Sequence, residues 1–217
     1  MLSIKTFVVN PLQENCYIVS DDTKEAVIID CGAYYESERE AIVRYVRDHA
    51  LTLHHLLCTH GHFDHNYGAD TIFDEFGVAP EVHPSDRDYV EHMDRQYQDL
   101  LGEVYPRPSV AASRLLTDGD MVTFGSHELQ VIHSPGHSPG GLVFYCESEH
   151  VAFTGDTLFR MSIGRTDLPG GSWQQLGQSL RKLASALPAA TTLYPGHGPV
   201  TTMADELRWN PYLLDNN

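Results

Sequence analysis

An α/β fold of the α+β kind, with two sheets packed face to face and helices outside them (αββα), is what this sequence predicts. Three observations carry that expectation. Short β-rich apolar runs occur in both halves, apolar residues at helical spacing lie between them, and each sheet face so formed needs another layer to bury it. In order, residues 3 to 9, 15 to 20 and 26 to 30 read as strands, 37 to 49 as a helix, 53 to 58 as a strand and 66 to 76 as a helix. His83-Pro84 begins a helix or turn. From Glu91 to Val104, Met93, Tyr97, Leu100, Leu101 and Val104 keep helical spacing until Pro106 and Pro108 end the run. That segment reads as a surface helix docked by its apolar stripe, the alternative being a cap whose Tyr97 or Tyr105 touches substrate. Strands follow at 121 to 124, 128 to 133, 142 to 146 and 150 to 154, then a helix at 172 to 186 and a last strand at 191 to 195.

With 217 residues, 41% of them hydrophobic, the chain can bury one substantial core. No Pro/Gly/Ser-rich linker divides it, so residues 1–217 are read as a single domain. The apolar run at Met1 to Val9 is too short for a secretory signal and no span suits a membrane helix, which points to the cytoplasm. A formal charge of −16 with scattered Lys and Arg disfavours nucleic acid as a partner. Cys16, Cys31, Cys58 and Cys146 lie singly in apolar contexts and read as small core residues.

The chemistry concentrates in Thr59-His60-Gly61-His62-Phe63-Asp64-His65. Ligands two apart without a helical rhythm suit a strand-end loop, and adjacent Asp64 and His65 must diverge, which favours two metals over one. Three further candidates stand beside glycines after short β-rich runs: His137 in Pro135-Gly136-His137, Asp156 in Gly155-Asp156-Thr157, and His197 in Gly196-His197-Gly198. Four such loops can converge on one edge of a sheet. Imidazole and carboxylate donors suit Zn²⁺, Fe²⁺ and Mn²⁺.

These motifs, together with Asn15-Cys16-Tyr17-Ile18-Val19, Ile28-Ile29-Asp30-Cys31-Gly32 and Gly164-Arg165-Thr166-Asp167, resemble the metallo-β-lactamase superfold. Within it the chain resembles the glyoxalase II-like (hydroxyacylglutathione hydrolase) family, short single-domain type. The resemblance implies two divalent metal ions, zinc first and iron or manganese as alternatives. His60, His62 and His137 would hold one, Asp64, His65 and His197 the other, and Asp156 would bridge them, with Asp64 and Asp156 as the catalytic carboxylates. It implies hydrolysis of a thioester, S-2-hydroxyacylglutathione such as S-lactoylglutathione, by a metal-bridging hydroxide. The alternatives are a persulfide dioxygenase with a single iron, or a lactone or ester hydrolase. Asp156, where a well-known lactamase class has a cysteine, places β-lactam hydrolysis lower. Arg165 and Arg160 are the candidates for meeting a glutathione carboxylate, although Arg165 can also pair with Asp167. Asp30 is expected to accept a hydrogen bond from a ligand imidazole and fix its tautomer. The chain end from Glu206 to Leu213 is expected to seal the groove edge.

Overall fold

Side chains along the central strands alternate between two buried surfaces, and this period-two division generates the layers. In the computed structural model, which describes residues 1–214 except the Leu100 side chain, the first half supplies six strands. They are β1 (Ser3–Val9), β2 (Glu14–Ser20), β3 (Glu25–Ile29), β4 (Thr52–Leu57), β5 (Pro80–Val82) and β6 (Arg114–Leu115), side by side in that order. The second half supplies β7 (Met121–Phe124), β8 (His127–His133), β9 (Leu142–Cys146) and β10 (Val151–Gly155), then a separate hairpin of β11 (Leu158–Phe159) and β12 (Ser162–Ile163), then β13 (Thr192–Pro195) and β14 (Thr201–Thr202). The second sheet runs β14-β13-β10-β9-β8-β7.

Tyr17, Val19, Val27, Ile29 and Leu57 of the first sheet meet Phe124, Leu129, Val131, Phe144 and Phe153 of the second in a shared core. Their neighbours point the other way. Ile18, Ile28 and Leu56 pack under α1 (Glu36–Asp48) and α2 (Ala69–Phe76) through Ile42, Val46 and Ile72. Between β5 and β6 the chain forms α3 (Arg87–Glu91) and α4 (Met93–Leu101). On the far side Ile132, Val143 and Ala152 pack under Leu176, Leu180 and Leu183 of α5 (Trp173–Ala186). Strands buried on both faces read as continuous apolar runs, as β2, β3, β9 and β10 do. Each fully buried Leu or Ile contributes about 1.5–3 kcal/mol. The expected αββα sandwich is the fold observed.

Two details differ from expectation. The helix expected over 91–104 is two helices with a break at His92 (φ −133°, ψ 51°), and α4 stops at Gly102, whose φ of 70° is the left-handed conformation that ends helices. Its docked reading holds in part: Met93 and Tyr97 are buried and pack with Phe63, Tyr67 and Tyr105, whereas Leu101 and Val104 at the far end of the expected stripe are exposed. Likewise α2 starts at Ala69, because residues 63–65 form a 3-10 turn and the Asn66 amide donates to the carbonyls of His60 and His62 (3.1 and 2.8 Å). The four cysteines are free and buried, as expected. At the chain end, α6 (Met203–Trp209) and α7 (Pro211–Leu214) lie against the β11–β12 hairpin, where Asn210 donates to Ser162 O at 3.1 Å. Among the described residues no helix is long and apolar enough to cross a membrane.

β3 to β4 and β10 to β13 are the parallel pairs that cross over through α1 and α5. The loops leaving β4, β8, β10 and β13 carry His60 to His65, His137, Asp156 and His197 respectively, and all four meet at one end of the sandwich.

Candidate metal centre

Asp30, at the end of β3, adopts φ 54°, a left-handed conformation that Asp tolerates better than most residues. In that position its carboxylate organises the neighbouring loop. It accepts hydrogen bonds from Thr59 N and Thr59 Oγ1, both at 2.7 Å, and from His65 Nδ1–H at 2.9 Å. Thr59 Oγ1, its own proton given to Asp30, is free to accept from His60 Nδ1–H at 3.1 Å. Two imidazoles are thus held in the tautomer that turns Nε2 inward. His137 and His197 reach the same state through backbone acceptors: their Nδ1–H groups donate to Arg165 O (2.8 Å) and Leu12 O (3.0 Å).

The inward atoms crowd one another. His62 Nδ1 lies 2.9 Å from His137 Nε2, and His65 Nε2 lies 3.2 Å from His197 Nε2. Asp156 reaches both groups, at 3.5 Å from His137 Nε2, 3.4 Å from His65 Nε2 and 3.7 Å from His197 Nε2. Asp64 Oδ2 is 3.4 Å from His197 Nε2. Facing nitrogen lone pairs repel unless a proton or cation lies between them. Separations near 3.4 Å are the edge length of a tetrahedron whose donors each sit about 2.1 Å from its centre. His60 Nε2 and Asp156 Oδ1 are buried and have no hydrogen-bond partner, which a native protein avoids unless another group satisfies them.

Electrostatics divide the imidazoles. Burial, reinforced by the other histidines, keeps His60 well below the usual histidine range and pushes His62 down to about 3. Burial also opposes charge on His65, but Asp156, Asp64 and Asp30 outweigh it and raise its pKa. Burial likewise opposes ionisation of Asp64, and His65 and His197 overcome it, holding the carboxyl below the usual range. The surroundings therefore stabilise positive charge where the carboxylates converge and exclude it elsewhere.

A family model described as the metallo-beta-lactamase superfamily matches residues 9–197. The chain belongs to that superfamily. The hydroxyacylglutathione hydrolase GloC of Haemophilus influenzae is 34% identical over 221 residues, covering 98% of each chain. Two solved structures are similar over nearly their whole length. One is BLEG-1, described as a B3 metallo-beta-lactamase (TM-score 0.88, 37% identity, 97% of this chain and 99% of that one). The other is TTHA1623 in a di-iron-bound form (TM-score 0.83, 37% identity, 96% and 100%). Divalent metal binding is what the superfamily implies, and the residues present fit it. Unsatisfied inward atoms, neutral imidazoles and converging carboxylates are the donor set such an ion requires.

Around this superfamily centre the structure brings His60, His62, Asp64, His65, His137, Asp156 and His197 together and sets Asp30 behind them. A cavity of about 360 Å³ opens over them, with Leu12, Phe63, Leu168 and Arg165 on its walls. A second, of about 240 Å³, shares His62 and Leu168 with it and continues past Tyr89, His92 and Arg95. The Arg165 guanidinium is exposed and held by the Asp167 carboxylate through two 2.7 Å hydrogen bonds. Arg160 is exposed in the turn between β11 and β12 and lines neither cavity.

Sequence reasoning misses three buried residues of this neighbourhood. Glu14 is fully buried, burial raises its pKa, and its Oε2 accepts from Gly32 N at 3.0 Å. Asn10 and Asp86 clamp the ligand loops. Each of the three is a single polar residue in or beside a turn, with no spacing to mark it. Asn15 belongs to a motif legible in the sequence, but its role is visible only in the fold: its amide donates to Pro195 O (3.0 Å) and Gly198 O (2.8 Å), fixing the loop of His197.

Proposed function

We propose that the chain hydrolyses thioesters, S-2-hydroxyacylglutathione above all, with two divalent metal ions in the centre. One observation carries the reading: seven donors converge beneath a cavity with a guanidinium on its rim, and Asp156 lies 3.5 Å from His137 Nε2 on one side and 3.4 and 3.7 Å from His65 and His197 Nε2 on the other. The 34% identity to GloC supports the substrate class. His60, His62 and His137 would hold one ion, Asp64, His65 and His197 the other, with Asp156 between them. Zinc is the first candidate, and the di-iron form of TTHA1623 makes iron a realistic second. Bound divalent metal supplies Lewis acidity that activates water and polarises a carbonyl near neutral pH.

The chain's own residues do the rest. The backbone, Thr59 and Asp30 contacts aim the Nε2 atoms of four imidazoles inward, and Asp64, held below the usual carboxylate range by His65 and His197, is ionised among them. Phe63, Leu12 and Leu168 give the thioester an apolar wall and limit competing water. A thiolate leaving group, with a conjugate-acid pKa of about 8.5, departs without a donated proton, so no side chain is required as general acid. Arg165 would meet a substrate carboxylate after exchanging Asp167 for it, and Arg95, on the second cavity, offers another cationic contact. Arg160 has no cavity position that supports the role.

One metal-defined preparation assayed in parallel decides the matter. The expected result is hydrolysis of S-lactoylglutathione with no oxygen uptake on glutathione persulfide and little turnover of a β-lactam. The β-lactam arm matters because BLEG-1 is 37% identical. Asp64→Ala and Asp156→Ala should abolish hydrolysis with the circular dichroism spectrum retained. Persulfide-dependent oxygen uptake without thioester cleavage, and one iron per chain, would overturn the proposal.

A further inference from the structure

We infer that two buried polar residues, Asp86 and Asn10, each position one of the two ligand groups independently, so that the two metal sites can be weakened separately. The inference rests on the two-ion reading above and assigns roles to residues outside the ligand set.

Asp86 is fully buried in the turn that follows β5. Its Oδ2 accepts from Gly61 N at 2.9 Å and its Oδ1 from Gly140 N at 2.6 Å. Gly61 lies between His60 and His62, and Gly140 lies three residues beyond His137, so one carboxylate ties together the two loops that carry this trio. Both glycines are there for close approach. A Cβ on Gly140 would come within 2.6 Å of the Asp86 carboxyl carbon, and one on Gly61 within 2.8 Å of Asp86 O. Gln96 braces the same loop, accepting from Phe63 N at 3.0 Å and donating to Gly61 O at 3.0 Å.

Asn10 performs the corresponding task for the other group. Its φ of 55° turns the chain after β1, and every polar atom of its side chain is engaged. Nδ2 donates to Asp64 O at 2.8 Å and to Gly32 O at 2.9 Å, while Oδ1 accepts from Leu12 N at 2.8 Å. Leu12 O is the acceptor that orients His197. Asn10 N is itself anchored to Glu38 Oε1 on α1 at 2.9 Å. One amide therefore fixes the backbone of Asp64 and the carbonyl that aims His197. Its contact with the His60–His65 loop is at Asp64 O, two residues beyond His62, and among the described residues its partners do not include the loop of His137. Asp30, by contrast, touches both groups through His65 and Thr59–His60 and belongs to neither clamp.

The test uses zinc affinity by competition with a chromophoric chelator, in two backgrounds that each retain one site. In His197→Ala, which leaves the His60, His62 and His137 site, Asp86→Asn should weaken zinc on the order of 10–100-fold and Asn10→Gly should leave it within about twofold. In His137→Ala the pattern should reverse. Glycine at position 10 tolerates the positive φ, so the side chain is removed without backbone strain. If Asp86→Asn fails to fold, Gly140→Ala crowds the same carboxylate and should show the same selectivity. Equal weakening of both sites by either substitution, or no weakening by both, would overturn the inference. A wild-type protein that takes up a single ion would instead overturn the two-ion reading beneath it.

Discussion

At the scale of single residues, the centre depends as much on what holds the imidazoles as on the imidazoles themselves. Asp30 accepts three hydrogen bonds, and among the described residues its carboxylate is the negative charge that meets the outer nitrogen of His65. Replacing it with Asn keeps the left-handed backbone but turns one acceptor into a donor facing Thr59 or His65. Asp30→Asn should therefore cost on the order of 10–100-fold in metal affinity, read in the same chelator competition, with both sites affected. The histidine-rich segment itself is legible in the sequence because imidazoles and carboxylates at such density have few other uses. The clamps are not. Asp86 meets Gly140 across 54 residues and Asn10 meets Asp64 across 54, and nothing local distinguishes either from an ordinary turn former.

At the scale of elements, strands with strict alternation or continuous apolar character are legible, because burial on one or two faces writes itself into the period. β5, β6 and β14 are not, being two or three residues long and stabilised by pairing with a preformed edge. The break at His92 is also tertiary in origin: Gln96 and Met93 are held by Gly61, Phe63 and Ser109, so the chain must turn to present both. For α5 the ranking of effects is clear. Leu180, 1% exposed beneath the helix, should cost about 2–5 kcal/mol when cut to Ala. Ser172, whose Oγ caps the helix by accepting from Gln175 N at 3.3 Å, should cost about 1 kcal/mol. Thermal unfolding of Leu180→Ala and Ser172→Ala checks the order, and a larger loss at Ser172 would mean that capping, rather than packing, is what chiefly holds this helix.

For the molecule as a whole, acid sensitivity has a site outside the ligand set. The rings of His83 and His133 stack at 4.1 Å, and His83 Nδ1 accepts from Ser85 N at 3.2 Å. Burial, with His133 adding to it, pushes the His83 pKa down from 6.5 to about 4. Between those values the unfolded chain binds the proton and the folded chain does not. The contribution to stability is thus complete above about pH 6.5 and falls as pH drops toward 4. His83→Phe keeps a stacked ring and removes the titration, so its unfolding midpoint should fall less than the wild type's across that window. Identical slopes would remove His83 from the account.

The division of the ligands between the two sheets also has a consequence in time. His62 and His137 are 75 residues apart and His65 and His197 are 132 apart, and the pairs come from different halves of the chain. Each of the two proposed ion sites draws ligands from both halves, and joining contacts so distant in sequence requires long loops to close first. Tight cation capture is then a late event in refolding, following the association of the halves rather than the appearance of helices and strands. An ion present from the start accelerates nothing before that association and slows the reverse reaction afterwards, so the protein's lifetime at low free metal is set by how rarely its two halves part.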